Sequence, residues 1–385
     1  MEKYIDILRD LIQIESVNDN EKEVAEYIEK LFKDYDNVET QIIDSYPNRS
    51  NILVKVKGKE KGKIFAFSGH LDVVEAGEGW TYPPFEGKIV DNKMYGRGTS
   101  DMKAGVAASL YAILEILEEG VEFKGEIWFI GTVGEEVGMQ GALDLVEKGL
   151  LDDVDAILIS EPTKGEDEHL AIYASKGSIM YTVNAKGRAC HSSMPEIGIN
   201  AITTITDFVT NVQAKFDEIT NDEKYQNADL GSTLNVFSMI EGGIQFNSVP
   251  ENASISGNIR TVPEFGSEQS IKVLEDAIEE NNKDDSKAKL SLELIQVLDP
   301  ALASKENDLI NSLKESAKDK NIVVKALIGT CELSRYIHIR DDIQLVVYGP
   351  GVTKTAHIVD EYVELDEYSE NVRIFKDTCL RFLER

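Results

Sequence analysis

Apolar residues recur at helical spacing over 2–15 and 20–33, and at strand spacing over 38–44, 51–57 and 63–69. A long helical pattern runs from Lys103 to Glu119. It is followed by the apolar run EIWFIGTV at 126–133, a helix near 139–148 and a second apolar run, DAILIS, at 155–160. Continuous apolar strands alternating with helices predict an α/β layered domain, because such strands must be covered on both faces. The texture changes after about residue 176. SIMYTVNAKG alternates, a helical pattern spans 200–216, STLNVFSMI and ASISGNIRT read as half-buried strands, and a helix at 267–281 ends in NNKDD. From about 290 the first texture resumes with LSLELIQV, a helix at 306–320, IVVKALI, IQLVVYG and a last helix at 366–384. The pattern predicts a discontinuous domain, 1–176 plus 290–385, with an α+β domain at 177–289 inserted into it.

A length of 385 residues exceeds one compact core and agrees with two domains. The 40 basic and 70 acidic residues give a formal charge of −30. Such a surface repels nucleic acid and anionic membranes, so neither is expected as a partner. Cys190, Cys331 and Cys379 are odd in number and far apart, which argues against a disulfide framework and against a thiolate zinc site. MEKYIDILRDLIQIES interleaves acids with apolar residues instead of forming an apolar signal-peptide core. No run approaches the ~18 apolar residues of a membrane span. A cytoplasmic location is expected.

Histidines and acids sit at the ends of the expected strands. His70 and Asp72 follow KIFAFSG, Asp101 follows MYGRGTS, and Glu135 and Glu136 follow EIWFIGTVG. Glu161 follows DAILIS and His357 follows IQLVVYGPGVTKTA. Side chains at the carboxyl ends of neighbouring strands converge on one crevice in an open α/β sheet. Two imidazoles and several carboxylates, without a thiolate, form a ligand set suited to zinc, manganese or cobalt. His70 and Asp72, two apart on a strand, point to the same side. The neighbouring anions Glu135 and Glu136 cost free energy near a sheet unless a cation compensates them. Any one strand-end acid by itself reads as a cap or a solvated turn, and His169 and His338 read as structural. Five converging segments favour a metal site.

The stretches SGHLDVV, WTYPPF, MYGRGTSDMKAG, GEEVGMQGA, SEPT and GPGVTKTAHIVDEYV resemble, in order and over nearly the whole chain, the co-catalytic metallopeptidase and deacylase family. That family includes succinyl-diaminopimelate desuccinylase, acetylornithine deacetylase, aminoacylase and carboxypeptidase G. GRACHSSMPEIGINAI resembles the family's lid motif. The resemblance implies a three-layer α/β/α catalytic domain with an inserted ferredoxin-like lid that also forms a homodimer. It implies two divalent metal ions, zinc with cobalt or manganese as alternatives. Asp101 would bridge them, His70 and Glu161 would complete one site, and Glu136 and His357 the other. Asp72 would accept a hydrogen bond from the second ring nitrogen of His70 and fix its tautomer. Glu135 would be the general base, and His191 would donate to the oxyanion from the partner subunit. Ser178, Asn247, Arg260, Gly329 and Thr330 would meet the substrate, with Arg260 as a carboxylate clamp.

The implied reaction is cleavage of the amide of an N-acyl amino acid, with N-succinyl-LL-2,6-diaminopimelate as the first candidate. The chain departs from desuccinylases in two places that bear on substrate carboxylates. Ser175-Lys176 stands where those carry two basic residues. TCELSR, with Glu332, stands where those carry a shorter stretch with Asp. An acetylornithine deacetylase or broader N-acyl amino acid deacylase, and then a dipeptidase, are the alternatives. A non-catalytic metal-dependent binding protein would have no need of Glu135.

Overall fold

The computed structural model describes residues 4–165 and 168–385. The chain divides into two compact units. The first comprises Met1–Tyr173, Ala303–Lys325 and Cys331–Arg385, and the second Ala174–Leu302 with Ala326–Thr330.

In the first unit a mixed sheet runs in the order Val38–Tyr46, Arg49–Lys57, Lys124–Thr132, Glu60–His70, Ala156–Ile159, Gln344–Val347 and His169–Ser175. The central strands Lys124–Thr132, Glu60–His70, Ala156–Ile159 and Gln344–Val347 are parallel to one another, and the pairs toward the edges are antiparallel. Period-two alternation sends neighbouring side chains of the strand Glu60–His70 to opposite faces. On one face the rings of Phe65 and Phe67 lie 5.8 Å and 5.4 Å from Phe382 and Phe375 of the helix Leu365–Glu384. On the other face the Ser68 hydroxyl hydrogen-bonds to Tyr336 at 2.7 Å, in the short helix Leu333–Tyr336. The sheet is thus covered on both sides, as its continuous apolar strands require. The strand His169–Ser175 was not expected, although LAIYA is an apolar run.

The second unit reads strand, helix, strand, strand, helix, strand: Ser178–Lys186, Ala201–Asn221, Leu234–Gly242, Asn252–Arg260, Ser267–Asn282 and Lys289–Leu298. Its antiparallel sheet has the order Leu234–Gly242, Asn252–Arg260, Ser178–Lys186, Lys289–Leu298, a ferredoxin-like arrangement. Phe208, Val212 and Phe216 of the first helix and Leu274 of the second pack on Ile179, Tyr181, Val183 and Ile255. Asn200 starts the long helix by accepting the N–H groups of Ile202 and Thr203.

The boundary expected at 289 needs correction. LSLELIQV does not resume the first domain. Leu290 pairs with Ala185 and Leu298 with Ser178. Without this strand the second sheet would lack one edge and its helices part of their floor. Its exposure alternates over Lys289–Glu293, as in the strand it joins, until a bulge between Leu294 and Gln296 interrupts it.

Candidate metal centre

The four parallel strands end at the same rim of the first unit's sheet. His70, Glu135 and Glu161 lie at or just beyond three of those ends, and His357 follows the fourth, Gln344–Val347, ten residues further on. His70 closes its strand and is fully buried. Its Nε2 lies 3.1 Å from Asp101 Oδ1 and 3.7 Å from Glu161 Oε1. His357, half exposed, places its Nε2 3.3 Å from Asp101 Oδ2 and 2.9 Å from Glu136 Oε1. The two oxygens of one carboxylate therefore face two different imidazoles. Ligand atoms of His70, Asp101 and Glu136 all lie within 4.8 Å of one another.

Asp72 orients its neighbours, though not by the expected atom. His70 Nδ1 lies 2.9 Å from the main-chain oxygen of Asp72 and 3.7 Å from its carboxylate. The carboxylate instead accepts the N–H groups of Glu135 and Glu136, each at 3.2 Å. A loop N–H pair aimed at the strand end leaves the side-chain oxygens engaged, so the carbonyl takes the ring proton. The turn into Glu135 needs Gly134, whose φ is +67° and whose missing Cβ would lie 2.5 Å from the Arg49 guanidinium.

Burial disfavours a charged His70, but the Asp101 hydrogen bond and the charges of Glu161 and Asp72 outweigh it and hold its pKa well above the usual value. Hydrogen bonds to Asp101 and Glu136 push His357 up to about 10. Burial alone would raise Asp101, yet the bonds from His357 and His70 bring it below the usual carboxylate range. Burial pushes Glu135 well up, against the pull of His70 and with the help of Glu136 and Asp101. Glu161 is likewise raised by burial and then by Asp101. Asp72, Asp101, Glu135, Glu136 and Glu161 outnumber the two imidazoles, and such crowding is relieved by protons or by a cation. Every donor is an imidazole nitrogen or a carboxylate oxygen, so the residues fit a divalent metal ion.

The remaining expected residues lie in the second unit. His191 and Ser248 are paired on a short ribbon, and the Ser192 N–H donates to the Asn247 carbonyl at 3.1 Å, so His191 and Asn247 travel together. The His191 Nδ1 accepts the Ser193 N–H at 3.2 Å and lies 2.7 Å from the Ser193 hydroxyl, so in the neutral ring the proton sits on Nε2. Arg260 donates to the Thr330 hydroxyl at 3.0 Å, and Asn258 donates to the Ser178 hydroxyl at 3.1 Å. Gly329 is half-buried beside Thr330.

The segment TCELSR divides at Thr330. Glu332, expected near substrate carboxylates, is buried in the first unit and accepts hydrogen bonds from Thr132 at 2.6 Å and Ser68 at 3.2 Å. A carboxylate so engaged serves the sheet. Glu361 and Arg97 carry no signal in the sequence, since Glu361 lies in the acid-rich run DEYVELDE at 360–367, where nothing sets it apart.

Residues 66–381 match the model of the Peptidase family M20/M25/M40. A probable succinyl-diaminopimelate desuccinylase of Staphylococcus aureus (strain MRSA252) is 37% identical over 406 aligned residues, covering 98% of this chain and 97% of that protein. A protein of the same name from Staphylococcus epidermidis is 34% identical, covering 99% and 98%. Among solved structures, the M20 family metallo-carboxypeptidase Sso-CP2 from Sulfolobus solfataricus aligns with a TM-score of 0.82 at 16% identity over the whole of both chains. The aminopeptidase PepT from Bacillus cereus aligns at 0.78 and 20% identity, covering 100% and 99%. These two structures speak to the fold.

Proposed function

The chain belongs to the peptidase family M20/M25/M40, a hydrolase of amide bonds, and from that premise we propose that it removes the succinyl group of N-succinyl-LL-2,6-diaminopimelate with the help of two zinc ions. The observation that carries the two-metal reading is the carboxylate of Asp101, whose oxygens lie 3.1 Å and 3.3 Å from two separate imidazoles. His70, Glu161 and Asp101 would hold one ion, and His357, Glu136 and Asp101 the other. Cobalt or manganese would satisfy the same donors. Bound there, divalent ions acidify water and polarise a substrate carbonyl.

The chain's own groups account for the proton traffic. Glu135 takes a proton from the attacking water, the oxygen joins the acyl carbon, the carbon–nitrogen bond breaks, and Glu135 returns the proton to the departing amine. A carboxyl raised by burial is suited to holding that proton between the two events. Asp72 keeps Glu135 in place through its N–H. The Nε2 proton of His191 is available to the developing oxyanion, delivered by the partner subunit of a homodimer formed through the second unit. Ser178, Asn247, Arg260, Gly329 and Thr330 meet the substrate, Arg260 taking a carboxylate in two-pronged fashion. A cytoplasmic location fits a biosynthetic enzyme. Among the described residues no helix is long and apolar enough to cross a membrane.

The Lys176 ammonium favours a second reading. It donates to the Ser232 carbonyl at 2.6 Å and is buried, so it offers less to a second substrate carboxylate than a free basic pair would. An acetylornithine deacetylase or broader N-acyl amino acid deacylase follows from that. Hydrolysis of N-succinyl-LL-2,6-diaminopimelate, N-acetylornithine, other N-acyl amino acids and dipeptides, each with zinc, cobalt or manganese, decides. The desuccinylase reading expects the highest kcat/KM on the succinyl substrate. A higher value on an acetylated amino acid overturns it in favour of the second.

A further inference from the structure

The loop that carries His357 is fastened to the turn that carries Asp101 by one buried carboxylate, Glu361. Its Oε1 accepts the main-chain N–H of Ser100 at 2.7 Å and of Asp101 at 3.0 Å. Its Oε2 accepts the N–H of Gly98 at 3.0 Å and the Arg97 guanidinium at 2.6 Å. The side chains of Glu361 and Arg97 are 0% and 3% exposed. On either side of Glu361 the chain is held again. Asp360 accepts the N–H and hydroxyl of Thr81 at 2.8 Å and 2.7 Å, and Tyr362–Glu364 pairs with Lys93–Tyr95. His357 lies four residues upstream.

A carboxylate needed only to neutralise Arg97 would be satisfied by that guanidinium. This one also gathers three N–H groups of a single turn, and the last of them belongs to the residue whose side chain faces both imidazoles. Converging N–H groups on one anion fix a turn's conformation. Asp155 offers an internal comparison at the other end of the same sheet. It accepts the Ile64 N–H and an Arg340 N–H, both at 2.7 Å, and touches no candidate ligand.

We propose that Glu361 is a positioning residue for the metal pair, holding Asp101 by its main chain while anchoring the His357 loop, so that Asp101 Oδ2 and His357 Nε2 face one ion. The inference rests on the two-metal reading above. Groups that orient ligands without touching metal typically change affinity by about 10–100-fold when lost.

The test uses full-length metal-free protein titrated with zinc and, separately, with cobalt, whose visible absorption reports ligand geometry. Thermal unfolding is measured alongside. Glu361→Gln should bind at least one ion about 10–100-fold more weakly than wild type, with an altered cobalt spectrum. Glu361→Asp, which keeps the charge, should recover part of the loss. Asp155→Asn should lower the unfolding temperature yet leave metal affinity and cobalt spectrum near wild type. If Glu361→Gln fails to fold for want of a partner for Arg97, Arg97→Met/Glu361→Gln takes its place under the same criteria. Wild-type affinity and spectrum in the Glu361 variant overturn the proposal. So does an equal loss of metal in Asp155→Asn, because affinity would then merely follow stability. A wild-type protein that takes up neither ion defeats the two-metal reading itself, and this inference with it.

Discussion

Asp72 is joined to Glu135 through the main chain: the Glu135 N–H donates to Asp72 Oδ1 at 3.2 Å. Its other oxygen accepts from Glu136, and its own carbonyl faces His70 Nδ1. One residue thus sets the His70 tautomer with its backbone and the Glu135–Glu136 turn with its side chain. Asp72→Ala leaves the first contact intact and releases the second. Displacing a reacting group by an ångström costs about 10²-fold, so turnover should fall by that order while metal content stays near wild type. Metal lost in step with activity would shift the effect from Glu135 to Glu136, whose N–H the same carboxylate accepts.

Glu135→Gln separates proton transfer from ligation. The amide keeps the size of the side chain but cannot carry a proton between water and amine. Turnover should drop by about 10²–10⁴-fold, with both metals retained by elemental analysis. Near-normal turnover in a fully loaded variant would remove Glu135 from the mechanism.

The sequence displayed those residues because each follows a recognisable strand. The spacing of His70 and Asp72 told that both leave the same strand end on one side, and the structure keeps them together. It could not tell which Asp72 oxygen faces the ring, because that depends on where the loop after Thr132 presents its N–H groups. Glu361 was hidden for a related reason: it acts on main-chain atoms far away in sequence, and no periodicity records such contacts. Glu332 misled because its neighbours in sequence divide between two units at Thr330. Lys289–Leu298 misled because an edge strand with one covered face reads much like the strands of either sheet.

Removing ligands should discriminate between the two ions. Asp101 faces both imidazoles, whereas His357 faces Asp101 and Glu136. Asp101→Ala should lower occupancy of both sites, and His357→Ala chiefly of one. Equal loss at both sites in His357→Ala, measured by metal analysis after dialysis, would contradict the assignment.

Glu367 should make stability depend on pH. It lies under the Gly351 N–H, 3.4 Å and 3.3 Å from its two oxygens, and burial raises its pKa from 4.5 to about 7. Between those values the folded protein binds more protons than the unfolded chain, so this group's contribution weakens as pH rises from about 4.5 to about 7 and then levels off. The shift corresponds to a few kcal/mol, on the order of 3. Glu367→Gln keeps the shape and carries no charge. Relative to wild type it should gain stability toward urea at about pH 8 compared with about pH 5. The same difference at both values would show that Glu367 does not titrate in this range.

The last expectation concerns His191. It stands exposed on the ribbon it shares with Ser248, in a unit whose sheet has Leu234–Gly242 at one edge. Val236, Met239 and Ile240 of that strand are 58%, 63% and 62% exposed. An apolar, unpaired strand edge is a liability that pairing across a two-fold axis removes. A dimer built this way would let His191 serve the partner's metals. His191→Ala and Glu135→Gln, each nearly inactive alone, are mixed under conditions where subunits exchange. If His191 acts across the dimer, a heterodimer has one site bearing both lesions and one bearing neither, so half of its sites recover. If it acts within its own chain, every site keeps one lesion and activity stays absent. Sedimentation as a monomer, or no recovery after exchange has been demonstrated by mass-tagged subunits, would rule out action across the dimer.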